Sequence, residues 1–190
     1  MVNNALMTIK ALVGLSSVRN ISTEILHEMI KRVCDELPYP LADLNLRFNS
    51  YTMLFANNNP LRNPSCRKLG KKVYETLLYK IVDGFESEGD KQCNITGLRY
   101  TKTFSDFMLE SWISLGVPEK EAKKKDLTLN RSWFPLLGGL GSDAQSLPMA
   151  MQTYNVHPIC VVLLQFLPFS AYIYKKGHYC PVKNGNWSLK

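Results

Sequence analysis

Three side chains of this 190-residue sequence combine the residue types and the spacing that hold a metal ion. His157-Pro-Ile-Cys160 is a chelating pair, and Cys93-Asn-Ile-Thr96-Gly97 repeats the frame with threonine in the second position. One tight turn of this kind supplies two ligands on one side of a zinc tetrahedron, and a distant turn supplies the rest. Imidazole replaces thiolate readily on zinc, whereas a threonine hydroxyl does not. The expectation is a degenerate structural zinc site held by Cys93, His157 and Cys160. Its fourth ligand must come from elsewhere, with Cys180 and His178 the nearest candidates in sequence. The same residues raise a second chemistry, because a cysteine nucleophile needs a base in reach. Yet the partners of catalytic dyads usually come from distant chain segments, not from one turn. Asp143 has no second carboxylate beside it. The sequence contains no H-E-x-x-H, no G-x-S-x-G and no acidic cluster for paired magnesium ions. "GGLGSD" at 138–143 lacks the Lys-Ser/Thr that completes a phosphate-binding loop. The expectation is a protein that is not an enzyme.

A second group of residues suits nucleic acid. The stretch "NNNPLRNPSCRKLGKK" at 57–72 carries Asn57, Asn58, Asn59 and Asn63 together with Arg62, Arg67, Lys68, Lys71 and Lys72. Asparagine amides both donate and accept, so they can touch base edges. The basic residues can grip phosphates without regard to sequence. Pro60 and Pro64 stiffen the segment and lower the entropy lost on insertion. The alternative is a plain surface turn, since Asn and Pro are ordinary turn residues.

The elements that must position these groups follow from periodicity. Leu26, Met29, Ile30, Val33, Cys34 and Leu37 recur on one helical face, with Ser22 as cap, Glu24 near the positive end and Pro38 as stop. His27 falls off that face and is expected in solvent, and Cys34 is expected in the core. "LADLNLRFNSYTMLF" at 41–55 alternates and predicts a strand. Residues 56–72 predict a loop. A helix is predicted over 73–84, with Val73, Tyr74, Leu77, Leu78 and Ile81 inward, followed by an exposed acidic connector over 85–92. Another is predicted over 103–116, with Phe104, Phe107, Met108 and Trp112 on its inner face. "PEKEAKKKD" predicts a charged turn. The Gly- and Pro-rich stretch from Trp133 must follow a path that those residues permit. The apolar run 159–174 predicts a buried element, too short to cross a bilayer and interrupted by Gln165, Pro168 and Ser170.

Composition bounds the rest. A hydrophobic fraction of 45% is ordinary for a globular chain and excludes a disordered tail. The formal net charge of +7 favours a polyanionic partner, such as nucleic acid or an acidic membrane surface. Five widely spaced cysteines make a poor disulfide framework, which points to a reducing, cytoplasmic setting. The N-terminal "ALMTIKALVGLSSV" is interrupted by Lys10 and makes a poor signal peptide. The expected fold is α+β, mainly helical, with a small sheet and a degenerate zinc-ribbon-like pair of turns, in a single domain over 1–190.

The block "LNRSWFPLLGGLGSDAQSLPMA", followed by "HPIC" and "LLQFLPFSAYIYKKG", resembles the large subunit of type I CRISPR Cascade complexes. Within that group it is similar to the I-B-like Cst/Myxan branch, over about residues 93–177. That branch carries C-x-x-C-G early, then a W/F-P-L-x-G turn with "SDAQ-LP", then C-P-x-C before an apolar element. The chain would correspond to an N-terminal portion or a shortened version of the subunit. The resemblance implies a role in antiviral defence without chemistry of its own. It implies recognition of the target-flanking motif (PAM) and opening of target double-stranded DNA, while guide RNA pairing reads the remaining sequence. Implied partners are guide RNA, target duplex, and the Cascade backbone and guide 5′-end-binding subunits, with a separately encoded C-terminal half or a transposition adaptor as further candidates and no membrane. Two other readings stand beside it: a small zinc-stabilised protein-interaction module, and a cysteine-dependent hydrolase using Cys160 and His157. A half-subunit would be expected to present part of the apolar run 159–174 to a partner and to be poorly soluble alone.

Overall fold

Val73, Tyr74, Leu77, Leu78, Ile81 and Val82 bury one continuous stripe of a helix that runs Gly70–Asp83, and three other helices pack against it. The computed structural model describes residues 2–35, 60, 61, 63, 66, 69–130, 132–134, 154–174 and 178–181. In chain order the helices are α1 (Val2–Val13), α2 (Thr23–Asp35), α3 (Gly70–Asp83), α4 (Phe104–Ser114), α5 (Glu119–Ala122) and α6 (Pro158–Gln165). The strands are β1 (Lys91–Gln92), β2 (Arg99–Tyr100), β3 (Ala171–Tyr174) and β4 (His178–Pro181). Each sheet is a two-stranded antiparallel ribbon, β1 with β2 and β3 with β4. The architecture is a mainly helical α+β fold, in agreement with the sequence.

Helix α3 contacts α2, α4 and α6, while α1 covers α6 and the 3-10 turn Leu167–Ser170. Ser22 caps α2 as its position suggests, accepting the Ile25 N–H at 3.4 Å. Leu26, Met29 and Ile30 are buried, whereas the side chains of Val33, Cys34 and Leu37 lie outside the described residues. His27 is not simply solvated: its Nε2 meets Asp83 Oδ1 at 3.2 Å, and its ring lies against Tyr79. It ties α2 to the end of α3.

Helix α4 starts on a capping box. Thr103 Oγ1 accepts the Asp106 N–H at 3.4 Å, and Asp106 Oδ2 accepts the Thr103 N–H at 2.8 Å. Gly116 ends it at φ 84°, a left-handed conformation that suits glycine, and the Val117 N–H returns to the Trp112 carbonyl. Thr103→Ala is expected to cost about 1 kcal/mol of stability, read as a lower urea midpoint at unchanged slope.

Several boundaries differ from the sequence reading. α3 begins at Gly70 instead of Val73, so Lys71 and Lys72 belong to its first turn and not to a loop. A close approach explains why this first residue is glycine. Gly70 lies so near Pro60 that an added Cβ would sit 2.1 Å from the Pro60 carbonyl oxygen. The connector 85–92 ends in β1, and the turn 118–126 contains α5. The run 159–174 is not one element but α6, a 3-10 turn and β3 in succession. All eight residues of α6 are buried, so this part of the run faces the protein's own core and not a partner. Among the described residues no helix is long and apolar enough to cross a membrane. The strand predicted over 41–55 and most of the Gly-rich stretch after Trp133 fall outside the described residues.

Candidate functional site

The β1–β2 hairpin and the start of α6 hold the site. Residues 93–97 close a tight turn: the Cys93 N–H donates to the Leu98 carbonyl at 2.8 Å, and the Gly97 N–H to the Cys93 carbonyl at 2.9 Å. Gly97 has φ 74°, which a side chain would resist. Two hydrogen bonds dock this turn on the segment before α6. The Asn94 N–H donates to the Asn155 carbonyl at 2.8 Å, and the Asn155 N–H to Asn94 Oδ1 at 2.7 Å.

Cys93 Sγ consequently lies 4.0 Å from Cys160 Sγ, across 67 positions of sequence. Both residues are buried free cysteines. His157 stands beside them as the N-cap of α6, with Pro158 at the first helical position. Its Nδ1 accepts the Ile159 N–H at 3.0 Å, and its Nε2 lies 2.9 Å from the Glu86 carbonyl. An accepting Nδ1 fixes the tautomer, so Nε2 carries the proton and donates it to Glu86. The ring is flanked by Phe85 at 5.5 Å and Tyr100 at 5.1 Å between centroids.

Electrostatics follow this geometry. Burial pushes the His157 ring below its ordinary value and is only partly offset by the Glu86 carbonyl and carboxylate, so the imidazole is neutral. Burial opposes ionisation of Cys93 as well. Its sulfur nevertheless sits below the usual thiol range, because the His157 backbone N–H, the Thr96 hydroxyl and the Thr96 and Ile95 N–H groups all point at it. Cys160 is pushed up to about 12, by burial first and then by Cys93. The two sulfurs are within hydrogen-bonding distance of each other, and either thiol can donate. A hydrolase dyad of Cys160 and His157 does not form in this arrangement. The thiol is wholly buried and stays protonated, and both ring nitrogens are engaged elsewhere.

The three residues expected to bind zinc are thus brought into one cluster. Cys93 and Cys160 offer two sulfurs, while His157 presents no free nitrogen lone pair to them. Among the described residues no group of three or more His, Cys, Asp or Glu side chains is placed to hold a metal ion. The side chains of His178 and Cys180 lie outside the described residues. Thr96 is no zinc ligand by its chemistry; hydrogen bonding from it favours the ionised form of both cysteines. Nothing in the sequence singles out Glu86, Tyr100 or the Asn94–Asn155 pair, since their roles depend on how the hairpin docks.

In the basic stretch, Asn57, Asn58, Asn59, Arg62, Arg67 and Lys68 lie outside the described residues. Asn63 is half-buried, and its carbonyl accepts the Cys66 N–H at 3.0 Å. Lys71 and Lys72 are exposed on the first turn of α3, which carries no acidic residue and no side-chain cap. The positive end of the helix dipole adds to their potential.

Glu86 and Asp106 make the site region sensitive to acid. Glu86 is held below the usual carboxylate range by the Thr101 and Lys102 N–H groups, at 2.7 and 3.2 Å. Burial opposes ionisation of Asp106, but the Thr103 hydrogen bonds outweigh it. A lowered carboxylate stabilises the fold above its ordinary value, 4.5 for Glu86 and 3.8 for Asp106, and that stability is lost as pH falls through the lower folded value. His157 acts in the same sense at higher pH, because a ring kept neutral in the fold favours unfolding once pH drops below its ordinary 6.5. The urea midpoint is therefore expected to decline from about pH 6.5 downward. A Glu86→Gln/Asp106→Asn double variant should show a flatter decline below pH 4.5. Neither a family model, nor a curated protein, nor a solved structure matches this chain.

Proposed function

We propose that the chain is a non-enzymatic, nucleic-acid-binding subunit of a cytoplasmic CRISPR guide-RNA complex, one that helps recognise the target-flanking motif and bind or open target double-stranded DNA. The observation that carries this reading is the meeting of two half-pairs. Cys93-x-x-Thr96 and His157-x-x-Cys160, the remnants of the paired turns in the large subunits that the sequence resembles, lie side by side after 67 positions of separation. The net charge of +7 and the exposed Lys71 and Lys72 at the start of α3 supply the positive potential such a subunit needs.

The test is binding of target duplex by the assembled guide-RNA complex, with and without the flanking motif. Alanine at Asn57, Asn58, Asn59 and Asn63 is expected to erase the preference for the motif, at roughly 1–3 kcal/mol for each base no longer read. Alanine at Arg62, Arg67, Lys68, Lys71 and Lys72 should weaken both duplexes alike and flatten the salt dependence. Failure of the chain to co-purify with guide RNA and Cascade backbone subunits would overturn the reading.

A protein-interaction module is favoured by a different observation. Phe85, Ile95 and Tyr154, in or beside the docked turn, are 36%, 42% and 39% exposed. If substitution of these three by serine abolishes assembly while alanine at the lysines leaves duplex binding intact, the surface serves a protein partner and not DNA.

A further inference from the structure

We propose that the Cys93–Thr96–His157–Cys160 cluster is a metal-free clasp, in which hydrogen bonds occupy the donors that a zinc ion would require. The imidazole of the cluster has its lone pair and its proton already committed. A cysteine sulfur has more than one lone pair, so it can accept backbone N–H bonds while ligating a metal. A neutral imidazole has one nitrogen lone pair and one N–H. In His157 the lone pair belongs to the Ile159 N–H at 3.0 Å and the N–H to the Glu86 carbonyl at 2.9 Å. As the helix cap, His157 has no lone pair left for a metal ion.

Thr96 presents a hydroxyl and not a thiolate on the other turn, and its oxygen accepts the Leu98 N–H at 3.4 Å. The two sulfurs face each other at 4.0 Å in a site from which water is excluded, Cys93 being 2% and Cys160 0% exposed. The cluster thereby links the hairpin to the first turn of α6 through four side chains, each bonded within the protein. Among positions 93, 96, 157 and 160, two of the four donors that a structural zinc site uses are missing. The inference stands apart from the function proposed above and would hold for a chain of any role.

The purified full chain is tested in two ways. Elemental analysis is expected to give far less than one zinc per chain, and the thermal midpoint is expected to be the same with EDTA and with added zinc. Cobalt(II) titration of the wild type should show no tetrahedral thiolate band. The double variant Thr96→Cys/His157→Cys restores two sulfurs and is expected to bind one zinc per chain, with a midpoint that rises with zinc and falls on chelation. His157→Asn retains an oxygen acceptor for the Ile159 N–H and should keep more stability than His157→Ala. One zinc per wild-type chain, a cobalt band, or a wild-type midpoint that drops with EDTA would overturn the proposal. The wild-type measurements decide the matter even where the double variant fails to fold.

Discussion

Leu77→Ala is expected to lower stability by about 2–5 kcal/mol, the usual cost of a cavity in a rigid core. Leu77 is fully buried in the middle of α3, the helix that α2, α4 and α6 all contact, so no single neighbour can move in to fill the space. Ile113→Ala, on the outer face of α4 at 41% exposure, is the control and should change stability by no more than about 0.5 kcal/mol. Urea unfolding followed by tryptophan fluorescence measures both, because Trp133 stacks on Tyr74 and meets Phe104 edge-on, reporting on the same core. Equal midpoints for the two variants would show that α3 is not the organising helix.

Gly89→Ala is expected to loosen the β1–β2 hairpin and, with it, the docked turn. A Cβ at this position would lie 2.2 Å from the Tyr100 carbonyl carbon and 2.4 Å from its oxygen. These are backbone atoms, so relief requires movement of the chain and not rotation of a side chain. The cost is about 1–3 kcal/mol by analogy with overpacked cores, and it falls on the strand that carries Tyr100 against His157. Hydrogen exchange of the Cys93 and Gly97 amides, which close the 93–97 turn, should accelerate more than exchange in α3. Uniform acceleration would place the effect on the whole fold.

The three amphipathic helices are legible in the sequence because their burial is one-sided. Val73, Tyr74, Leu77, Leu78 and Ile81 repeat at three and four, and the structure buries all five. Helix α1 has an apolar face of its own, but Lys10 interrupts the run in sequence and the stretch reads there only as a poor signal peptide. Ala5, Thr8 and Ile9 are buried where α1 covers α6, a contact between opposite ends of the sequence. Helix α6 is apolar on every side, so it has no period to detect, and its length is set by the cap at His157 and the turn after Gln165. In the site, the spacing of His157 and Cys160 marks them as a pair, and Cys93 as their counterpart. What the spacing does not convey is that the imidazole commits its nitrogens to Ile159 and Glu86. That depends on a carbonyl 71 positions away.

The separation of Cys93 from Cys160 also bears on the order in which the protein assembles. Closing a flexible loop of 67 residues costs on the order of 4 kcal/mol of chain entropy before any contact repays it. The hairpin and the capped helix after it need only neighbours in sequence, so they can form first, and the long-range closure comes late. During synthesis at roughly 5–20 residues per second, Leu77 and Leu78 are made several seconds before the Pro158–Gln165 helix that helps cover them. For that interval the nascent chain displays an apolar helix face with part of its cover still to come.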